Sequence, residues 1–200
     1  MPSHKLLTNA IQNRNFSQLS GKVLLEIGST REIVPDQNSS EYFIKFCKKH
    51  NMKFISIDMD PVCSKNALNA CKKHDFDNYT IKTMKGEDFL KEYKEKIDFI
   101  YLDAFDFWHP RHSGVRKQSY IQNLGVELSK DDKLCHKMHY DCVYYIVNNE
   151  CVTKDTIICH DDILTSDAKK GKGVLSIPFL LENGFKITKY HSNGMILEMI

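Results

Sequence analysis

What this sequence lacks narrows its class before any motif is read. None of its seven cysteines lies three residues from another, a spacing that argues against zinc ribbons and C-x-x-C redox sites. Their odd number also argues against a closed disulfide framework, so reduced thiols acting as small core hydrophobes are expected. No apolar run approaches the length of a membrane span and no leader-like segment is seen, which points to a cytoplasmic protein with no membrane partner. Charge of either sign is unconcentrated: 28 Lys and Arg stand against 26 Asp and Glu, and pairs such as Lys48-Lys49, Lys72-Lys73 and Lys169-Lys170 are scattered. A nucleic-acid partner is therefore not expected. Internal repeats and low-complexity tracts are missing too, which argues against solenoids and disordered adaptors.

What remains is an ordinary globular composition. Over 200 residues, 42% hydrophobic and 27% charged content suffices for one core and one domain. Short apolar runs at 23–27, 54–57, 79–83, 99–102 and 156–159 predict buried parallel strands, several of them rich in β-branched or aromatic residues. Amphipathic stretches at 40–50, 63–74, 86–93 and 134–148 fall between these runs. Such alternation predicts an α/β sheet with right-handed crossovers and helices on both faces. Residues 4–19 predict a further helix inside an N-terminal extension spanning 1–20. It is read either as a cover for a bound cofactor or as a homodimer contact.

The last forty residues break the alternation. A helix at 174–182 ends at Asn183-Gly184, and strands at 185–190 and 195–199 follow, joined by His191-Ser192-Asn193-Gly194. The Asn-Gly pair signals a tight reversal. Seven strands result, mostly parallel, with an antiparallel hairpin at the end of a Rossmann-like doubly wound sheet. From residue 23 to the C-terminus this pattern resembles the class I S-adenosylmethionine-dependent methyltransferases; dehydrogenases of similar build usually finish on a parallel strand. The resemblance implies S-adenosylmethionine as cofactor, held at the carboxyl ends of the strands.

Four stations along the chain match that site. The first strand runs into Glu26-Ile27-Gly28-Ser29-Thr30. By the resemblance, Gly28 and Ser29 let the backbone approach the cofactor, and the Glu26 carboxylate attracts its amino-acid end directly or through water. The later glycines of the family's loop are absent; Thr30, Arg31 and a loop through Pro35 to Asn38 stand there. The second strand ends Ile57-Asp58-Met59-Asp60, where an acid can accept hydrogen bonds from both ribose hydroxyls. Asp58, flanked by Met59, is the central cofactor candidate, although such an acid would serve a nicotinamide dinucleotide equally. Asp60 before Pro61 predicts a helix N-cap. After the third strand, Glu87 and Asp88 stand where the family places groups against adenine, with helix capping by Asp88 as the competing role. The fourth strand discharges Asp103-Ala104-Phe105 at its carboxyl end, completing the set.

Methyl transfer from a sulfonium is downhill, so the protein has mainly to align a nucleophile and accommodate one proton. Groups for that task gather after the fourth and fifth strands: Asp103, Asp106, His109 and His112, then His160, Asp161 and Asp162. Of these, Asp103, His109, His112 and Asp161 are the catalytic candidates. Catechol-type O-methyltransferases, a subset of the family, bind a magnesium-like ion with an aspartate after strand four and an Asp-Asn pair after strand five. Asp103, Asp161 and Asp162 fall on those positions, with Asp162 in place of the asparagine, and their hard oxygens suit such an ion. Between the two strands, residues 104–150 form an active-site insertion and helix. There His136 and His139 share a helix face and are alternative ligands for a transition metal, proton shuttles or substrate contacts. Arg111 and Arg116 are read as anchors for an acidic substrate group or as solvated charges. Gly171-Lys172-Gly173 lacks the rest of a phosphate-binding loop and predicts a flexible helix entry.

The expected activity is methyl transfer to an oxygen or nitrogen nucleophile of a small polar molecule. Two other readings stay open: a metal-dependent enzyme that uses the His and Asp cluster for a non-methyl reaction on the same scaffold, and a catalytically silent cofactor-binding partner subunit.

Overall fold

A computed structural model describes residues 1–14, 18–31, 38–109, 112, 114–128 and 131–199. The loop containing Pro35 and the side chain of Arg111 lie outside the described residues. Strands β1 (Val23–Ile27), β2 (Lys53–Asp58), β3 (Tyr79–Thr83), β4 (Phe99–Leu102) and β5 (Ile157–His160) are parallel. Strands β6 (Phe185–His191) and β7 (Gly194–Met199) complete the sheet as the expected antiparallel hairpin. The order is β3-β2-β1-β4-β5-β7-β6. The chain therefore works outward from β1 in one direction, returns, works outward again from β4 to β5, then passes to the edge at β6 and folds back as β7 between β5 and β6. Between β1 and β4 the connections leave in opposite senses, and an open crevice results at their carboxyl ends.

Pleating sends alternate residues to opposite faces. Leu25, Ile27, Ile100, Leu102 and Ile158 pack under helices α4 (Gly86–Glu92), α6 (Lys133–Asn148) and α7 (Ser176–Glu182). Leu24, Phe54, Phe99, Tyr101 and Ile157 pack under α1 (Ser3–Asn13), α2 (Ser39–His50) and α3 (Pro61–Lys73). The same parity carries Glu26, Ser56 and Asp58 to the second face, toward the start of α2. Helix α1 adds Leu6, Leu7 and Ile11 to that core. Asp60 caps α3, accepting the Val62 N–H at 2.8 Å ahead of Pro61. All seven cysteines are free and buried. Among the described residues no helix is long and apolar enough to cross a membrane.

Two local readings of the sequence change. The insertion contains a helix that its weak apolar periodicity does not announce, α5 (Gly114–Leu124), which seats Tyr120 against Phe105, Cys135 and Met138 in a third apolar cluster. At the hairpin, Ser192 takes the left-handed conformation (φ 55°), while Gly194 already belongs to β7. A Cβ on Gly194 would press on Ser3 Oγ and Leu6, so α1, rather than the turn, demands that glycine.

Candidate active site at the carboxyl edge of the sheet

Where β1 and β4 part, a cavity of about 400 Å³ opens. The turn after β1 and the end of β2 form one wall, the segments after β4 and β5 form the other, and residues 1–4 close one side. On the first wall, Gly28 has φ 91°, and an added Cβ would overlap the carbonyl of Asp103. The glycine is needed where β1 crosses the end of β4, whatever the cavity holds.

Asp58 lies in the same wall, 8% exposed. Each of its oxygens accepts one backbone N–H, from Ser29 and from Asp60, both at 2.8 Å. Burial pushes its carboxyl up to about 6 against the pull of these donors and of Arg31. Ionised, each oxygen retains capacity for a further donor. Glu26 behaves differently: it is fully buried and does not reach the cavity. Its oxygens accept from Ser39 and Ser40 at 2.7 Å and from Ser56 at 2.8 Å. Burial pushes this carboxyl up to about 7, even against three hydroxyl donors. In the structure Glu26 acts as a bolt that joins β1 and β2 to the start of α2, so it makes no direct wall of the cavity.

The opposite wall is built from charge. Lys172, fully buried, makes an ion pair with Asp103 and reaches Asp162 at 3.0 Å and Asp106 at 3.4 Å. Burial opposes its charge, but Asp103, Asp162 and Asp106 overcome this and hold the ammonium well above its ordinary pKa. Asp106 also pairs with Arg31 at 3.5 Å and Arg116 at 3.4 Å and accepts from Tyr120 Oη at 2.8 Å. Burial pulls Asp106 upward, yet Lys172, Arg116 and Arg31 together hold it below the usual carboxylate range. Arg31 in turn lies 5.3 Å from the centre of the Tyr120 ring, a distance suited to a cation–π contact. Asp161 stands apart from this group: it accepts from Ser3 Oγ at 2.6 Å and from the Tyr101 hydroxyl.

Lys172 is the residue that sequence reading missed. Gly171-Lys172-Gly173 is tied into the fold ahead of α7 rather than left as a free helix entry. Gly171, at φ 96°, bridges Ile163, and a Cβ on it would overlap the Asp162 carbonyl; the Lys172 N–H donates to that same carbonyl at 3.1 Å. The one available signal was a lone lysine between two glycines, ten residues beyond an Asp-Asp pair at a strand end.

The histidines separate into two groups. His109 and His112 line a second cavity of about 190 Å³ that shares Asp106, Arg116 and Asp162 with the first. Burial lowers the His112 pKa, and its Nδ1 is buried without a hydrogen-bond partner among the described residues. His139, by contrast, is fully buried on α6. Its Nδ1–H donates to the Cys135 carbonyl at 2.7 Å and its Nε2 accepts the Ala104 N–H at 3.2 Å. Both ring nitrogens are used by the fold, so His139 has no lone pair left for a metal, and it does not join the half-buried His136 as a ligand pair. It stacks on His160, which burial pushes down to about 4 and which bonds Ser176 Oγ at 2.7 Å.

The expected divalent ion does not fit this corner. Asp103, Asp106 and Asp162 do bring carboxylate oxygens within 4.8 Å of one another, but Lys172 Nζ already stands among them. Asp161, the remaining member of the expected ligand set, faces Ser3 and Tyr101 instead.

No protein-family model and no curated protein sequence matches the chain. Solved structures do. A Podospora anserina methyltransferase bound to SAH superposes with TM-score 0.63 at 13% identity, covering 98% of this chain and 77% of that one. The ribosomal protein L11 methylase of Lactobacillus delbrueckii subsp. bulgaricus gives TM-score 0.55 at 11% identity, over 98% of this chain and 76% of the other. An rRNA methylase from Streptococcus thermophilus gives 0.55 at 8%, over 99% and 94%. The fold is that of class I methyltransferases. Within this methyltransferase fold, Gly28, Ser29, Asp58, Asp103 and Ala104 line the main cavity, whereas Met59, Glu87, Asp88 and Phe105 do not. Met59 and Phe105 are taken up by the apolar cluster around Tyr120. Glu87 is half-buried at the start of α4, and Asp88 points to solvent.

Proposed function

We propose that this protein transfers a methyl group from S-adenosylmethionine to an oxygen or nitrogen nucleophile of a small polar molecule. Asp58 carries the reading: a carboxylate at the end of β2, in the wall of the central cavity of a methyltransferase fold, anchored through both oxygens by backbone N–H groups. A carboxylate so oriented can accept from two vicinal ribose hydroxyls without first being ordered. S-adenosylmethionine, when bound, supplies an activated methyl group. The protein's part is to bind, to align and to take a proton.

The neighbouring cavity of about 190 Å³ suits an acceptor, since it meets the first across Asp106, Arg116 and Asp162. Methylases of rRNA and of ribosomal protein L11 share the fold, so the fold alone leaves the acceptor open; the size of this chamber favours a small one. His112 is our candidate base: an imidazole whose buried nitrogen has no partner among the described residues can take the proton that the nucleophile gives up. His109, with ring centre 5.7 Å away, lines the same chamber. Asp103 and Asp161 are assigned a supporting role, because each is already held by partners, Lys172 for one and Ser3 with Tyr101 for the other.

Thermal unfolding tests the cofactor. S-adenosylhomocysteine should raise the midpoint, and Asp58→Ala should abolish that rise. No shift with either S-adenosylmethionine or S-adenosylhomocysteine on the wild-type protein would remove the reading.

A further inference from the structure

We propose that the Lys172 ammonium is the resident cation of the acid cluster at the ends of β4 and β5, so that this site works without a divalent metal and gains one only when Lys172 is removed. The oxygens of Asp103, Asp106 and Asp162 lie within 4.8 Å of one another, a spacing a hard cation can bridge at its usual 2.0–2.6 Å from carboxylate oxygen, roughly. That position is filled. Lys172 Nζ contacts all three carboxylates and is fully buried.

Charge balance agrees with occupancy by the lysine. Lys172, Arg31 and Arg116 meet the three carboxylates, the two arginines both on Asp106. Much of the cluster's charge is thereby offset from within the chain, Arg31 being shared with Asp60, so the attraction left for a doubly charged ion is reduced. Nor is Lys172 a mobile surface side chain able to swing aside. Its backbone is fixed by the Asp162 carbonyl and by the left-handed Gly171, and its stem is sealed from solvent. Lys172 is a positioning residue in this scheme, holding Asp103 and Asp162 against the end of the sheet. A hydroxyl-bearing acceptor would then lose its proton to a side chain, with no metal to acidify it.

Manganese binding to the full-length protein, followed by the loss of the free Mn²⁺ electron paramagnetic resonance signal, tests this independently of methyl transfer. Wild-type protein should bind Mn²⁺ no more tightly than about 1 mM, the weak end for carboxylate sites. Lys172→Ala should bind at least about tenfold more tightly, because removing one charge at contact distance from three acids leaves a strong local field. Lys172→Arg, which keeps the charge, should behave as wild type. If Lys172→Ala is unfolded alone, Mn²⁺ should restore its far-ultraviolet circular dichroism. Stoichiometric micromolar binding by the wild-type protein overturns the proposal, and so does a Lys172→Ala variant that neither binds Mn²⁺ more tightly nor refolds with it. Failure of S-adenosylhomocysteine to bind would weigh against the methyltransferase reading and leave the manganese result to decide this one.

Discussion

The two walls of the central cavity solve the same problem, the burial of carboxylates, by opposite means. In and directly behind the β1–β2 wall, Asp58 and Glu26 have no direct cationic partner among the described residues; hydroxyls and backbone N–H groups surround them, and both pKa values rise. On the β4–β5 wall Asp103, Asp106 and Asp162 are matched by Lys172, Arg31 and Arg116. Neutral donors orient a carboxylate while leaving it free to gain a proton or a ligand. Full charges hold Asp106 ionised, although burial still raises the Asp103 carboxyl beside Lys172, and they leave little for an outside cation. The first arrangement suits recognition of a polar ligand, and the second suits a corner with much of its charge offset from within the chain.

The largest effect should come from the charged wall. Lys172→Met leaves three clustered acids without their shared cation and should lower unfolding stability by about 3–5 kcal/mol in urea titrations. A loss below 1 kcal/mol, roughly the worth of an exposed pair, would erase the contrast between the walls.

Next is the pH response of the neutral wall. The fold raises the Glu26 carboxyl from 4.5 to about 7, so between those values the native state holds a proton that the unfolded chain has released. This contribution is fully present below pH 4.5 and is lost as pH rises through 7, about 3 kcal/mol in all. Glu26→Gln should remove that part of the pH dependence when wild type and variant are unfolded at pH 5 and pH 8. Parallel curves would mean that Glu26 is ionised in the fold.

A smaller effect is expected in binding. Asp58→Asn keeps the shape but removes the charge, and should weaken S-adenosylhomocysteine by about 1.5–3 kcal/mol, roughly tenfold to a hundredfold, in calorimetric titration. An affinity within twofold of wild type would deny Asp58 its role. Smallest is Ser3→Ala, which removes the bond from α1 to Asp161 and should cost about 1 kcal/mol of stability.

The parts of the candidate site that were legible beforehand are those in which one short segment carries both the element and the residue at its end. The run from Glu26 to Ser29 closes β1, and Asp58 closes β2, each visible as an acid at the end of an apolar run. Asp60 before Pro61 announced its own helix cap for the same reason. Where an arrangement needed distant segments, reading failed. Lys172 looked like part of a loose loop because its partners sit at 103, 106 and 162, and His139 looked available because nothing nearby in the chain shows that Ala104 takes its second nitrogen.

Strand positions, the alternation of faces, the closing hairpin and the acids at strand ends were determined by the sequence alone, since backbone periodicity and apolar pattern act over a few residues. Tertiary structure decided which acids face a cavity, which are bolted inside and which carry a cation, because burial and charge pairing depend on neighbours brought together only when the sheet closes.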